Sequence, residues 1–202
     1  MRVIVITDPE FLPGEAEAVT ALLDAGAWRV HVRKPGAHAE DVSALLEAVP
    51  ARYYSRISLH DCHDLVLRYG LGGVHLNSRN PVPPSGFAGL VSRSCHSFEE
   101  LGRYAGQCDY MFLSPVFDSI SKRGYSSHFS LEDIKSKPGI VNDRVFALGG
   151  VSADNIGLLP DAGFGGAAVL GYIWGPYKHG RDVQDLVQRL RSILDVLRIK
   201  RL

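Results

Sequence analysis

Residues that could hold a phosphorylated ligand recur at one kind of place in this 202-residue chain, just after short apolar runs. His31, Arg33 and Lys34 follow one run, His60, Asp61 and His63 the next, and His75, Asn77 and Asn80 a third. Ser94 and His96 follow a further run, and another leads into Ser114, Asp118, Ser119, Ser121, Lys122 and Arg123. Two later runs end in glycine, at Gly149 with Gly150 and at Gly171. Guanidinium and ammonium groups suit an anion, and a carboxylate such as Asp61 suits a hard cation such as magnesium. Glycine lets backbone N–H groups approach a phosphate closely, where a side chain would block approach or force a disfavoured backbone conformation.

Each residue also has a plainer reading. Asp61 fits an N-cap of a following helix about as well as a magnesium contact. The hydroxyl-rich, basic stretch at 119–123 could fold over a pyrophosphate or form a solvated turn. His75, set among apolar residues, reads as a packed, hydrogen-bonded imidazole rather than a catalyst. His60, Asp61, His63 and Asp64 scatter their side chains too widely for a two-histidine zinc centre. Cys62, Cys95 and Cys108 form no CxxC pair, which speaks against a disulfide framework or structural zinc, and no base stands paired with Cys95 or Cys108.

The elements that must position these groups alternate. Strand-length apolar runs occur at 3–7, 28–33, 57–60, 73–76, 90–94, 110–113, 145–148 and 167–170. Helical spacing falls at 15–25, 38–49, 62–69, 98–104, 131–135 and 153–159. A last helix carries Val183, Leu186, Val187, Leu190, Ile193, Leu194 and Leu197 at steps of three and four. Eight buried parallel strands with helices between them predict a compact α/β fold, the (β/α)8 TIM barrel, in which the active site lies at the carboxyl ends of the strands. An open doubly wound sheet is the alternative. At this length a helix is expected to be missing, most simply from the proline-bearing stretch 77–89. No linker or repeat divides the chain, so one domain over 1–202 is expected.

Lys and Arg number 22 and so do Asp and Glu, so the chain lacks the electrostatic footprint of a nucleic-acid or membrane binder. The apolar run at the N-terminus is too short for a signal or a membrane span, and a cytoplasmic protein is expected. Composition leaves a homo-oligomer open.

Taken in order, several short motifs resemble one family. They are His31-Val32-Arg33-Lys34, Gly73-Val74-His75-Leu76, Ser94-Cys95-His96-Ser97 with Glu99 and Glu100, the run 109–122, Ala147-Leu148-Gly149-Gly150-Val151 with Asn155, and the run 162–170. Each is weak alone; as an ordered set over nearly the whole chain they resemble the thiamine phosphate synthases and their thiazole tautomerase relatives. The resemblance implies an enzyme of thiamine biosynthesis that joins a hydroxymethylpyrimidine diphosphate to a thiazole phosphate. Pyrophosphate leaves with the help of magnesium, and the thiazole nitrogen captures the pyrimidine cation. It implies Arg33, Ser94 and Lys122 as catalytic candidates, His31, His60, Ser119, Ser121, Gly150, Gly171 and Ile173 as substrate contacts, and Asp61 with Asn80 as metal ligands.

The chain departs from the pattern in places. His31 stands where the synthases carry glutamine, His60 where they carry asparagine, Pro35 in a lysine's place with Lys34 shifted by one, and Asn80 in place of a second aspartate. Weakened magnesium binding is expected from Asn80. A tautomerase, an isomerase keeping the phosphate site without magnesium, is the second reading, opposed by Pro115 where those relatives carry a histidine. A non-catalytic phosphate-binding barrel is the third, opposed by Arg33, Ser94, Ser119 and Lys122.

Overall fold

Eight strands, β1 (Arg2–Ile6), β2 (Arg29–Val32), β3 (Ile57–Leu59), β4 (Gly73–Leu76), β5 (Leu90–Cys95), β6 (Tyr110–Leu113), β7 (Val145–Leu148) and β8 (Gly166–Val169), pair in parallel and in sequence order. β8 returns to β1, so the computed structural model is a closed barrel. It describes residues 1–118 and 129–200. The predicted barrel is therefore observed, with each strand within a residue or two of its expected place.

Alternation along the strands divides the apolar residues between two cores. Outward-facing Val3, Val5, Val30, Val32, Val74, Met111 and Leu113 pack beneath the helices. Ile4, Ile6, Tyr110, Phe112, Phe146 and Ala168 fill the barrel interior. Trp28 packs on this inner cluster, with the Arg2 guanidinium 4.7 Å over its ring.

The helices are α1 (Glu15–Asp24), α2 (Ala39–Glu47), α3 (Asp64–Tyr69), α4 (Phe98–Tyr104), α5 (Leu131–Lys135), α6 (Gly171–Gly180) and α7 (Val183–Ile199). α4 starts at Ser97, whose hydroxyl accepts from the Glu100 N–H, while the Glu100 carboxylate accepts from His96 N–H. α7 starts at Asp182, whose carboxylate accepts from the N–H groups of Gln184 and Asp185, and it buries Leu186, Leu190, Ile193 and Leu197. As expected, no helix forms over 77–89.

One expected helix is corrected, and one helix forms where none was expected from spacing. The segment 153–159 is not an α-helix but leads into two 3-10 turns, Ile156–Leu158 and Pro160–Ala162. The Asn155 side chain turns back instead, donating to Gly150 O at 2.8 Å and accepting from Ser152 N–H at 2.9 Å. Conversely, α6 forms although it contains Gly175 and Pro176, because it buries Trp174 and Tyr177 against the core. No described helix is long and apolar enough to cross a membrane.

Candidate active site

Strand register gathers three histidines inside the barrel near its carboxyl end: His31 pairs across to Ser58, and His75 to Ser92. His31 Nε2 lies 2.7 Å from Tyr110 Oη, and His31 Nδ1 lies 3.0 Å from His60 Nε2. The His60 ring stacks on His75 at 4.0 Å, and the opposite partner of His75 is Phe112 at 5.0 Å. His75 Nδ1 meets Ser92 Oγ at 2.9 Å and His75 Nε2 meets Ser94 Oγ at 3.0 Å.

All three imidazoles are buried. Burial, followed by the neighbouring cationic forms, pushes His31 and His60 well below the ordinary histidine value and His75 down to about 3. They form a neutral floor. Their nitrogens lie within 4.8 Å of one another. Even so, His31 and His75 each commit both nitrogens to hydrogen bonds, and stacked rings aim their lone pairs side by side rather than at one point.

Arg33 rises from this floor, its N–H donating to Thr7 Oγ1 at 2.9 Å. Its charge contributes to the lowering at His60 and His75, and it makes no ion pair with any described residue. Arg33 thus follows β2 at the carboxyl end of the barrel as a cation without an ion-pair partner among the described residues. Lys34 is the opposite case. Its ammonium is buried, donating to both Glu15 oxygens at 2.6 and 2.7 Å and to the carbonyls of Asp8 and Glu10. Lys34 therefore holds the loop before α1 in place and is not available to a ligand.

Asp61 and Asn80 come together, as the resemblance implied. Asn77 accepts from the N–H groups of Arg79 and Asn80, folding the loop after β4 so that Asn80 Nδ2 lies 3.5 Å from Asp61 Oδ1. The same oxygen accepts from Arg79 Nε and Nη2 at 3.0 and 2.7 Å. Asp61 Oδ2 is buried without a hydrogen-bond partner among the described residues, which a hard cation would supply, so the pair fits magnesium with one carboxylate and one amide. The capping role for Asp61 is not observed: His63 holds the N-cap position of α3, and its Nε2 is tied to Leu59 O at 3.1 Å.

On the other side of the mouth, Gly150 has φ +63°, and a Cβ there would lie 2.1 Å from Asp118 O. Glycine at 150 is thus demanded by the chain leaving β6 as well as by any ligand. Gly171 opens α6 and is not in the left-handed region, so only the close-approach argument applies to it. The first N–H groups of a helix have no intrahelical acceptor, which leaves Gly171 and Tyr172 at the anion-favouring end of α6. Ile173 is different. Its side chain is fully buried and its N–H is donated to Leu170 O at 3.0 Å, so neither faces a ligand. Ser119, Ser121 and Lys122 lie outside the described residues.

Sequence reasoning missed Arg79, Ser92 and Tyr110. Arg79 had a local signal, its place between Asn77 and Asn80, whereas Ser92 and Tyr110 become visible only through strand register.

The profile of the thiamine monophosphate synthases matches residues 3–173. The chain belongs to that family. A thiamine-phosphate synthase of Serratia proteamaculans is 30% identical over 167 residues, covering 78% of this chain and 79% of its own length. One from Archaeoglobus fulgidus is 24% identical over 202 residues, covering 95% and 96%. The crystal structure of a thiamine phosphate pyrophosphorylase from Bacteroides thetaiotaomicron superposes with a TM-score of 0.89 at 34% identity over 98% of both chains. Membership in the thiamine monophosphate synthase family makes this chain a transferase of thiamine biosynthesis.

Proposed function

We propose that the mouth of the barrel joins a hydroxymethylpyrimidine diphosphate to a thiazole phosphate with release of pyrophosphate. The observation that carries this reading is the Arg33 charge, with no ion pair among the described residues, felt at the neutral, buried imidazoles of His60 and His75, together with Asp61 at the end of the next strand, whose Oδ2 lacks a described hydrogen-bond partner. The pyrimidine ring lies on that floor with Ser94 at its edge and its diphosphate toward Arg33. The C–O bond breaks, its electron pair leaves with the diphosphate, and the thiazole nitrogen donates its lone pair to the resulting carbon cation. No general base is needed for that exchange. A loose cationic transition state requires a positioned ring, a neutralised leaving group and exclusion of water. The neutral histidines suit the cation, because charged ones would repel it. Gly171 and Tyr172 N–H groups take the thiazole phosphate.

Asp61 and Asn80 would hold magnesium, whose positive charge would help neutralise the leaving diphosphate. Lys122, Ser119 and Ser121 complete the diphosphate side in this reading. His31 and His60 contribute as the floor beneath the ring.

Calorimetry with each substrate alone tests the assignment. Arg33→Ala is expected to weaken pyrimidine diphosphate binding by about tenfold or more, the worth of a charge-assisted contact, and to leave thiazole phosphate binding unchanged. Equal affinity of parent and variant for the diphosphate would remove Arg33 from the site.

A further inference from the structure

The hydrogen bonds around His75 determine where its proton lies. Ser92 Oγ is 3.1 Å from Val74 O, and a carbonyl only accepts, so the Ser92 proton points to Val74. Ser92 Oγ must then accept from His75, which places the imidazole proton on Nδ1. Nε2 is left with a lone pair, and its neighbour at 3.0 Å, Ser94 Oγ, must donate to it. The His75 ring cannot easily turn out of this arrangement, being held between His60 and Phe112. Burial keeps the ring neutral, so Nε2 retains that lone pair.

We propose that His75 is a positioning residue that holds the Ser94 proton inward, so that Ser94 offers the mouth oxygen lone pairs alone and selects a pyrimidine bearing an N–H donor, a ring amino group, at that edge. This rests on the reading of Ser94 as a pyrimidine contact. The polarity is specific: a ring carbonyl in place of the amino group would meet lone pairs with lone pairs, and Ser94 could not rotate to donate without abandoning His75. The arrangement also favours the reaction. As the pyrimidine carbon becomes cationic, an amino group feeds electron density into the ring and its N–H groups become stronger donors. Ser94 Oγ, with its own proton shared toward Nε2, is the better acceptor for them.

The experiment combines a direct view of the proton with a selectivity measurement. Long-range 1H–15N spectra of the protein are expected to show His75 as the neutral Nδ1–H tautomer. Calorimetry is expected to show the parent binding the aminopyrimidine diphosphate about tenfold or more tighter than its oxo counterpart. His75→Phe, which keeps the ring stack, is expected to bring that ratio close to one, and His75→Gln, whose amide oxygen can accept near the Nε2 position, to restore most of it. An Nε2–H tautomer, or a ratio unchanged in His75→Phe, overturns the proposal; the spectrum of the parent decides even if a variant fails to fold. Failure of the underlying functional reading looks different: the tautomer is as expected, yet the parent binds neither pyrimidine, and the selectivity claim falls with it.

Discussion

Lys34 and Asn80 are the two positions where a single residue tests the account most economically. The Lys34 ammonium and Glu15 carboxylate are buried together, with every donor and acceptor direction filled by the protein. Burial pushes Lys34 down and Glu15 up, yet the four short bonds to Nζ hold the pair in its charged form. Lys34→Met strands the Glu15 charge and is expected to cost about 3–5 kcal/mol, read from urea unfolding, as for other broken buried pairs. A loss under about 1 kcal/mol, the level of an exposed pair, would contradict the structural role. That role was not legible in the sequence. Lys34 sits among rim residues of the right chemistry, and its captors, Glu15 and the carbonyls of Asp8 and Glu10, lie 19 to 26 positions away. The position of Asn80 near Asp61 follows from a local fold, because Asn77, three residues before it, accepts from the Asn80 N–H. Asn80→Asp places a second carboxylate beside Asp61 and is expected to lower the magnesium concentration needed for half-maximal turnover by about tenfold. An unchanged magnesium requirement would mean that residue 80 does not face the ion.

At the scale of elements, the loops after β7 and β8 separate two uses of glycine. Gly150 is fixed by its positive φ and by Asp118 O, so Gly150→Ala is expected to destabilise the barrel by about 1–3 kcal/mol and to weaken binding of both substrates. Gly171 does not share the positive φ. Gly171→Val is therefore expected to keep the melting temperature near that of the parent while abolishing thiazole phosphate binding and sparing pyrimidine diphosphate binding. Calorimetry on the separate ligands distinguishes the cases, and intact thiazole phosphate binding in Gly171→Val would place that site elsewhere. Most strands were legible as short apolar runs bounded by polar residues, although β2 and β5 carry polar residues within them. α6 was not, because Gly175 and Pro176 disguise a helix that exists through burial of Trp174 and Tyr177. At 153–159 the apolar spacing suggested a helix, but the hydrogen bonds of Asn155 to Gly150 and Ser152 won over it.

Across the whole molecule, closing eight strands in sequence order is what brings His31, His60 and His75 into one buried floor. This has a thermodynamic signature. A histidine whose folded pKa is depressed leaves the unfolded chain holding more protons below about pH 6.5, so the stability is full above that pH and falls as the pH drops toward the folded pKa, about 3 for His75. Each such histidine is expected to remove roughly 1 kcal/mol of stability per pH unit between pH 6 and 5, above the range where most carboxylates titrate. Urea midpoints at pH 7.5, 6 and 5 read this directly, and midpoints that do not fall would mean the imidazoles are not held neutral. Whether this barrel mouth joins two phosphorylated rings is read from turnover by the purified protein with hydroxymethylpyrimidine diphosphate and thiazole phosphate, with and without magnesium. Pyrophosphate and thiamine phosphate are expected in equal amounts, only when both substrates are present and faster with magnesium. Neither product forming, although both substrates bind, would contradict the account.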